Sequence, residues 1–363
     1  MFLECEFIRK EEKMSSKIKA GIIGAAGFTG RELLRIFAHH TGISIEYITA
    51  GQNEGVPVGR VFSELDFAAY ENLCFTPHPQ SKDDLPALDV VFLAATDEVS
   101  LHWTPILLDL GIKVIDISGA FRLKDVAEFG RYYKMEHSAA ELLPRAQYGM
   151  PELYREKIKQ ADLIANPGCY ATSAVLPVHF LGKHKALFRP LLILDSKSGT
   201  SGAGGRKEKD SMPYSSVQEN FRAYRMADHQ HIPEILQEVA PGFATPPKMK
   251  MTPHLLPLFR GILSVTYLEA KEPLSPETLE EIRQGFIGAA AQEPFVRYYE
   301  TPEEVELKKV QLTNYLDFSM QYDPEIQILV LVSAIDNLVK GAAGQAVVNF
   351  NLVFGFDETT ALR

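Results

Sequence analysis

Ile18-Lys19-Ala20-Gly21-Ile22-Ile23-Gly24-Ala25-Ala26-Gly27-Phe28-Thr29-Gly30-Arg31-Glu32-Leu33-Leu34-Arg35-Ile36-Phe37 is the stretch whose reading decides the fold. Its first apolar run, Ile18 to Ile23, has the length and β-branched content of a buried strand. The run ends in glycines at 24, 27 and 30, after which apolar residues recur at helical spacing. Glycines there permit a tight turn, a close approach of backbone N–H groups to a pyrophosphate, and close helix packing. Such spacing alone is common in loops. Between a strand and a helix it points to a dinucleotide site formed by Gly24, Gly27, Phe28, Thr29 and Gly30.

Outward from this unit, a second strand is expected from Ile43 to Thr49, followed by the apolar runs Val90–Leu93 and Val114–Ile117. Short apolar runs alternating with amphipathic stretches predict an α/β fold with a Rossmann-type, doubly wound parallel sheet. The second strand ends Tyr47-Ile48-Thr49-Ala50-Gly51-Gln52-Asn53. An acid there would bond the ribose 2′-OH and repel a 2′-phosphate, so its absence favours NADP over NAD, with Thr49 at the cofactor. Arg60 is either a phosphate partner or a solvated loop charge. After about Pro167 the texture changes to Leu191–Leu194, a glycine-rich stretch at 198–205, proline-rich segments, and strong strand patterns at Ile262–Tyr267 and Ile326–Val332. This half reads as α+β.

The 363 residues, 46% hydrophobic and 23% charged, suit two folded domains. A net charge of −10 offers no general footprint for nucleic acid or an anionic membrane, so small molecules are the expected partners. Cys5, Cys74 and Cys169 are too few and too scattered for a disulfide framework or a zinc site, which suits a reducing compartment. Met1 to Lys17 has no apolar core of signal-peptide length and reads as an extension, with Met14 an alternative start. No apolar run has the length of a membrane span, and a cytoplasmic location is expected.

Cys169 follows a strand pattern and Asn166-Pro167-Gly168, and precedes an apolar stretch that reads as a helix. At a helix N-terminus the dipole and unpaired N–H groups would lower its pKa and make it a nucleophile; the alternative is a buried, inert thiol. His229 and His231 precede another helix pattern. Without a third ligand cluster they suggest no metal, and one of them can meet a distant cysteine in space as its acid/base partner. Ser118 and Arg122, in Ser118-Gly119-Ala120-Phe121-Arg122-Leu123, read as anion-handling, as does Arg206 after the glycine-rich stretch; surface salt bridges are the alternative for both arginines.

Together these residues resemble the N-acetyl-γ-glutamyl-phosphate reductase family. The resemblance rests on Ala165-Asn166-Pro167-Gly168-Cys169-Tyr170-Ala171-Thr172 and on His229-Gln230-His231-Ile232-Pro233-Glu234-Ile235. It extends to Thr252-Pro253-His254-Leu255 with Arg260-Gly261, and to Asp336-Asn337-Leu338-Val339-Lys340-Gly341-Ala342-Ala343-Gly344-Gln345-Ala346. It spans Ile18 to about Asn351. Ser173 departs from the family's smaller residue, Thr49-Ala50-Gly51-Gln52 stands where relatives more often carry Ser-Arg, and residues 1–16 have no counterpart.

The resemblance implies NADPH-dependent reduction of N-acetyl-γ-glutamyl phosphate to the 5-semialdehyde with release of inorganic phosphate. Cys169 would form the thioester, His231 (with His229 as second choice) would move the proton, Arg122 would hold phosphate, and Asn337 would lie near the nicotinamide. The implied architecture has an extension at 1–16, a nucleotide-binding domain at 17–168 and 336–363, and a catalytic and oligomerisation domain at 169–335. A homodimer or homotetramer is expected. The rivals are an aspartate-semialdehyde dehydrogenase, a reductase of carrier-linked aminoadipyl phosphate, and a non-catalytic dinucleotide sensor.

Overall fold

In the computed structural model, which describes residues 17–51, 53–65, 68–203 and 218–363, strand β1 (Ile18–Ile23) runs into the glycine turn and the helix Phe28–Phe37. On one side β1 pairs with β2 (Ile43–Ile48), and on the other with β3 (Val90–Leu93). With β4 (Lys113–Asp116), β5 (Gln147–Tyr148) and β6 (Leu163–Ala165) they form an all-parallel sheet in the order β2-β1-β3-β4-β6-β5. All four side chains of β3 are buried, as a strand covered on both faces requires. Because the chain leaves β1 toward β2 and returns on the other side at β3, the carboxyl ends of β1 and β3 flank a crevice, the usual ligand position in such sheets.

A second, mixed sheet contains β7 (Phe188–Ser198), β8 (Arg222–Ala223), β9 (Lys248–Leu255), β10 (Ile262–Ala270), β11 (Val296–Tyr298), β12 (Leu316–Asp323) and β13 (Ile328–Ile335). Its order is β11-β12-β13-β10-β7-β9-β8. One face buries Leu192, Leu194, Leu268 and Leu329 with Ala174 and Val175 of the helix Cys169–His179 and Phe286 of the helix Pro276–Gln292. The opposite face leaves Leu191 and Ile193 each 44% exposed. The last strand begins two residues later than the expected Ile326: Ile326 is 64% exposed, and Gln327 beside it takes φ 57°, so this pair belongs to the turn between β12 and β13.

After β13 the chain forms a single π-helical segment, Val339–Ala343, and then the helix Gly344–Phe354. Val347, Phe350 and Leu352 pack with Ile22, Phe37 and Phe92, so the end of the chain completes the core of the first sheet. A second link joins the two halves. Arg260, between β9 and β10, pairs with Glu32 of the first helix and with Asp336, while the ring of Phe259 stands edge-on to Phe28 at 5.2 Å.

Candidate active site

At the nucleotide turn, Gly24 has φ +89°, and a Cβ there would lie 2.4 Å from the carbonyl oxygen of Ala94. A Cβ at Gly30 would meet the Ala25 backbone at 2.5 Å. Both glycines are dictated by close packing against the end of β3 and within the turn. Gly27 is the N-cap of the helix Phe28–Phe37, with no side chain capping it and no acid in the first turn. The helix therefore presents its N–H groups and positive dipole end without an internal anion, which suits a pyrophosphate. Thr49 ties the end of β2 to this turn, its Oγ1 accepting from the Gly24 N–H at 3.1 Å.

The helix Cys169–His179 starts at the cysteine, with Gly168 as N-cap directly after β6. Gly168 is the point of convergence. A Cβ there would stand 2.3 Å from His231 Nε2 and 2.8 Å from Arg122 Nη1, so only glycine lets these side chains close on the segment carrying Cys169. Glu234, fully buried one helical turn after His231, accepts from the Gly168 N–H and from the Tyr148 hydroxyl, both at 2.8 Å. Its other oxygen lies 3.7 Å from Arg122 Nη1 and 3.9 Å from His231 Nε2. From the opposite side Gly341, in the π-helical segment, approaches so closely that its Cβ would fall 2.7 Å from Cys169 Cβ. π-Helical segments often mark functional positions. Buried Lys340 holds this one, donating to Glu152 at 2.6 Å.

The thiol does not behave as its helix position alone predicts. Burial pushes the pKa of Cys169 up to about 11, although the Arg122 charge and the Tyr170 N–H pull it down. Desolvation outweighs the dipole because the cysteine packs against the core of the second sheet, a burial that sequence position does not reveal. Burial, then Arg122 and Arg225, drive the pKa of His231 well below 6.5, so its imidazole is neutral. Arg122 can only donate, and its Nη1 lies 3.4 Å from His231 Nε2. That nitrogen accepts, and the ring proton sits on Nδ1. A neutral imidazole with an accepting Nε2, held against the residue that precedes Cys169, has the protonation state that a general base needs.

His229 is placed differently. Its Nδ1 accepts from the His231 N–H at 3.2 Å, and its ring packs edge-on to Tyr170 at 5.2 Å. Arg122 is buried rather than on the surface, with Nε on the Asn166 carbonyl and Nη2 on the Ile117 carbonyl, both at 2.8 Å. These bonds occupy one edge of the guanidinium, so the open two-pronged fork expected for phosphate is reduced to Nη1. Ser118 donates to Asp116 at 2.9 Å. Asp116 is buried beneath it, and burial lifts its pKa to about 6 against hydrogen bonds from Ser100 and Ser118. Asn337 is buried, donating to Ser201 Oγ at 2.9 Å and accepting from the Gly261 N–H at 2.7 Å. Arg206 lies outside the described residues, as do residues 1–16. Among the described residues, no three His, Cys, Asp or Glu side chains are grouped to hold a metal.

Sequence reasoning assigned no role to Glu234, Tyr148, Asn166, Asp116, Glu152 or Lys340. Glu234 had a signal, standing three residues after His231 at the start of a helix pattern, where both side chains share a face. The others become neighbours only through tertiary packing.

Two family profiles match the chain: "Semialdehyde dehydrogenase, NAD binding domain" over residues 19–161 and "Semialdehyde dehydrogenase, dimerisation domain" over residues 169–337. An N-acetyl-gamma-glutamyl-phosphate reductase from Leptospira interrogans serogroup Icterohaemorrhagiae serovar Lai is 45% identical over 342 residues, covering 94% of this chain and 98% of that protein. One from Magnetococcus marinus is 40% identical over 349 residues, covering 96% and 98%. Among solved structures, aspartate semialdehyde dehydrogenase with NADP from Candida albicans superposes with a TM-score of 0.68 at 14% identity, covering 93% of this chain and 99% of that one. Aspartate semialdehyde dehydrogenase II from Vibrio cholerae gives 0.67 at 16% identity, covering 94% and 99%. Those two share the fold. With relatives this similar along nearly their whole length, the chain belongs to the N-acetyl-gamma-glutamyl-phosphate reductase family.

Proposed function

We propose that this protein reduces N-acetyl-γ-glutamyl phosphate to N-acetylglutamate 5-semialdehyde with NADPH, releasing inorganic phosphate. The observation that carries the reading is the convergence of a half-buried cysteine, a neutral histidine and an arginine–glutamate pair on Gly168. His231 takes the Cys169 proton as sulfur attacks the γ-acyl carbon. The C–O bond to phosphate breaks, and a thioester forms. Arg122 Nη1 faces the charge that develops on the leaving group.

The uncapped helix end at Gly27 and the glycine turn would hold the dinucleotide, which when bound supplies the hydride that takes the thioester carbon to the aldehyde level. His231 then holds the proton of the oxygen on that carbon and removes it as the C–S bond breaks. Free aldehyde leaves, and Cys169 recovers its proton. Glu234 keeps the Gly168 backbone, Tyr148 and Arg122 in register throughout.

The outward stripe Ile193, Tyr267 and Val330, paired across β7, β10 and β13, suits a sheet-to-sheet contact with a second copy, so a homodimer or a multiple of it is the proposed assembly. No helix among the described residues is long and apolar enough to cross a membrane. A reducing cytoplasm, where Cys169 stays a thiol, fits the chemistry.

The reverse reaction tests the proposal. N-acetylglutamate 5-semialdehyde, phosphate and NADP should yield reduced cofactor, whereas aspartate semialdehyde should not. Turnover with aspartate semialdehyde alone, or with neither aldehyde, refutes it.

A further inference from the structure

Arg260-Gly261 is not among the groups gathered at Gly168. The two residues lie in the loop between β9 and β10, which backbone bonds fasten to the end of β7. The Gly199 N–H donates to the Gly261 carbonyl and the Thr200 N–H to that of Leu258, both at 2.8 Å, and the Ser201 N–H donates to that of Phe259 at 3.0 Å. A Cβ at Gly199 would stand 2.7 Å from the Phe259 oxygen, so the loop lies directly on this segment and is part of the second sheet's body. The helix carrying Cys169 packs on the same sheet. From this body the Arg260 side chain reaches across to the other half of the molecule. Its Nη2 binds Glu32 in the helix Phe28–Phe37, and its Nη1 lies 3.1 Å from Asp336. Both carboxylates are buried. Asp336 also caps the π-helical segment, Oδ1 accepting from the N–H groups of Leu338 at 2.9 Å and Val339 at 3.2 Å, and Oδ2 from that of Leu312 at 2.7 Å.

We propose that Arg260 is a positioning residue for hydride delivery, holding the helix that opens the dinucleotide site in register with the body that carries Cys169. This rests on the proposed reduction and adds what aligns its second step. In the first step, sulfur attacks and phosphate leaves, which needs only the groups around Gly168. In the second, the thioester carbon takes up a hydride and, with a proton returned to sulfur, leaves as the aldehyde. That step needs the nucleotide turn and the nucleophile at a fixed spacing. Glu32 stands in the second turn of the helix whose uncapped end at Gly27 faces the dinucleotide site, so a shift of Glu32 shifts that end with it. The planar guanidinium meets carboxylates from two separate elements, which the single ammonium of a lysine does not reproduce. Without Arg260, Asp336 keeps three backbone donors, and the π-helical segment keeps its cap. Among the described residues, Glu32 keeps only Arg35 of its own helix, at 2.8 Å. Loss of the pairs therefore unties the dinucleotide helix and spares the nucleophile.

The test measures the two steps apart on the full chain. Phosphate released from N-acetyl-γ-glutamyl phosphate without any dinucleotide reports thioester formation. Stopped-flow oxidation of saturating NADPH by the preformed thioester reports hydride delivery. Glu32→Gln, which keeps the size of the side chain and drops its charge, should slow hydride delivery at least ~10-fold, as should Arg260→Lys, while the phosphate burst of both stays within about twofold of wild type. Glu32→Gln leaves Arg260 paired with Asp336, so it decides the matter even if Arg260→Lys fails to fold. Equal slowing of both steps would make the ion pairs a general prop of the fold, and hydride delivery at the wild-type rate in Glu32→Gln would show that they do not set the spacing. Either result overturns the proposal and leaves the reduction standing. A wild-type protein that releases no phosphate in the first measurement would instead overturn the thioester reading itself.

Discussion

Gly341→Ala adds one methyl group where the structure leaves no room. Its Cβ would stand 2.7 Å from Cys169 Cβ and 3.2 Å from both Cys169 Cα and Ile335 Cδ1. Non-bonded carbons settle at ~3.5–4.0 Å, so one side must retreat by about 1 Å. Ile335 can turn its terminal methyl aside. The closer neighbour is Cys169 Cβ, which sits in the first turn of a helix buried along almost its whole length and cannot turn away without carrying the sulfur with it. A displacement of about 1 Å at a reacting group costs on the order of 100-fold in rate, and an overpacked methyl costs ~1–3 kcal/mol of stability. In the reverse assay kcat should therefore fall about 100-fold, the KM for NADP should stay within twofold, and the melting temperature should drop by a few degrees. Gly285→Ala is the control. That glycine lies in the helix Pro276–Gln292 with no atom near its Cβ position, so the change should stabilise by roughly 0.5–1 kcal/mol and leave kcat alone. A Gly341→Ala enzyme with kcat within threefold of wild type would refute the reasoning, because the contact would then not fix the sulfur.

Cys169, raised to about 11, should react with iodoacetamide at a rate that climbs about tenfold per pH unit from pH 7 to 10, since only the thiolate reacts. A plateau at or below pH 8 would contradict the burial argument. The same shift makes the folded protein hold a proton that the unfolded thiol, with a pKa near 9.0, releases; thermal stability should decline as pH rises above 9. His231→Asn should lower kcat at least ~100-fold, with a smaller loss for His229→Asn, measured as turnover at saturating substrate; the opposite ranking would exchange their roles. Arg122→Lys keeps the charge but cannot hold the Asn166 and Ile117 carbonyls while also facing the site. The KM for phosphate in the reverse assay should rise at least ~10-fold and that for NADP barely move. An unchanged phosphate KM would remove Arg122 Nη1 from the phosphate path.

The parts of this enzyme that were legible in its sequence are those that local chemistry dictates. The strand, glycine turn and helix at 18–37 declare themselves through spacing alone, and Gly24 and Gly30 meet the backbone so closely that no other residue would serve. The helix starting at Cys169 was readable from Asn166-Pro167-Gly168. Burial depth was not, and it reverses the direction of the thiol's pKa. Lys340 and Glu152 look like surface charges in a sequence, and only the fold shows them pressed together under the π-helical segment. Arg122 reads in the sequence as a two-pronged phosphate ligand, with a surface salt bridge as the alternative; its carbonyl partners at Asn166 and Ile117 are visible only in the fold.

The return of residues 339–354 to the first core has a consequence for biosynthesis. Ile22, Phe37 and Phe92 emerge early from the ribosome, yet Val347, Phe350 and Leu352, which close over them, are among the last to be made. The dinucleotide-binding half stays open through most of translation, its apolar surface uncovered while the intervening sheet is completed. A chain cut short before Val339 would carry every glycine of the turn and Cys169 as well, and still have neither a finished core beneath that turn nor the wall that Gly341 sets against Cys169.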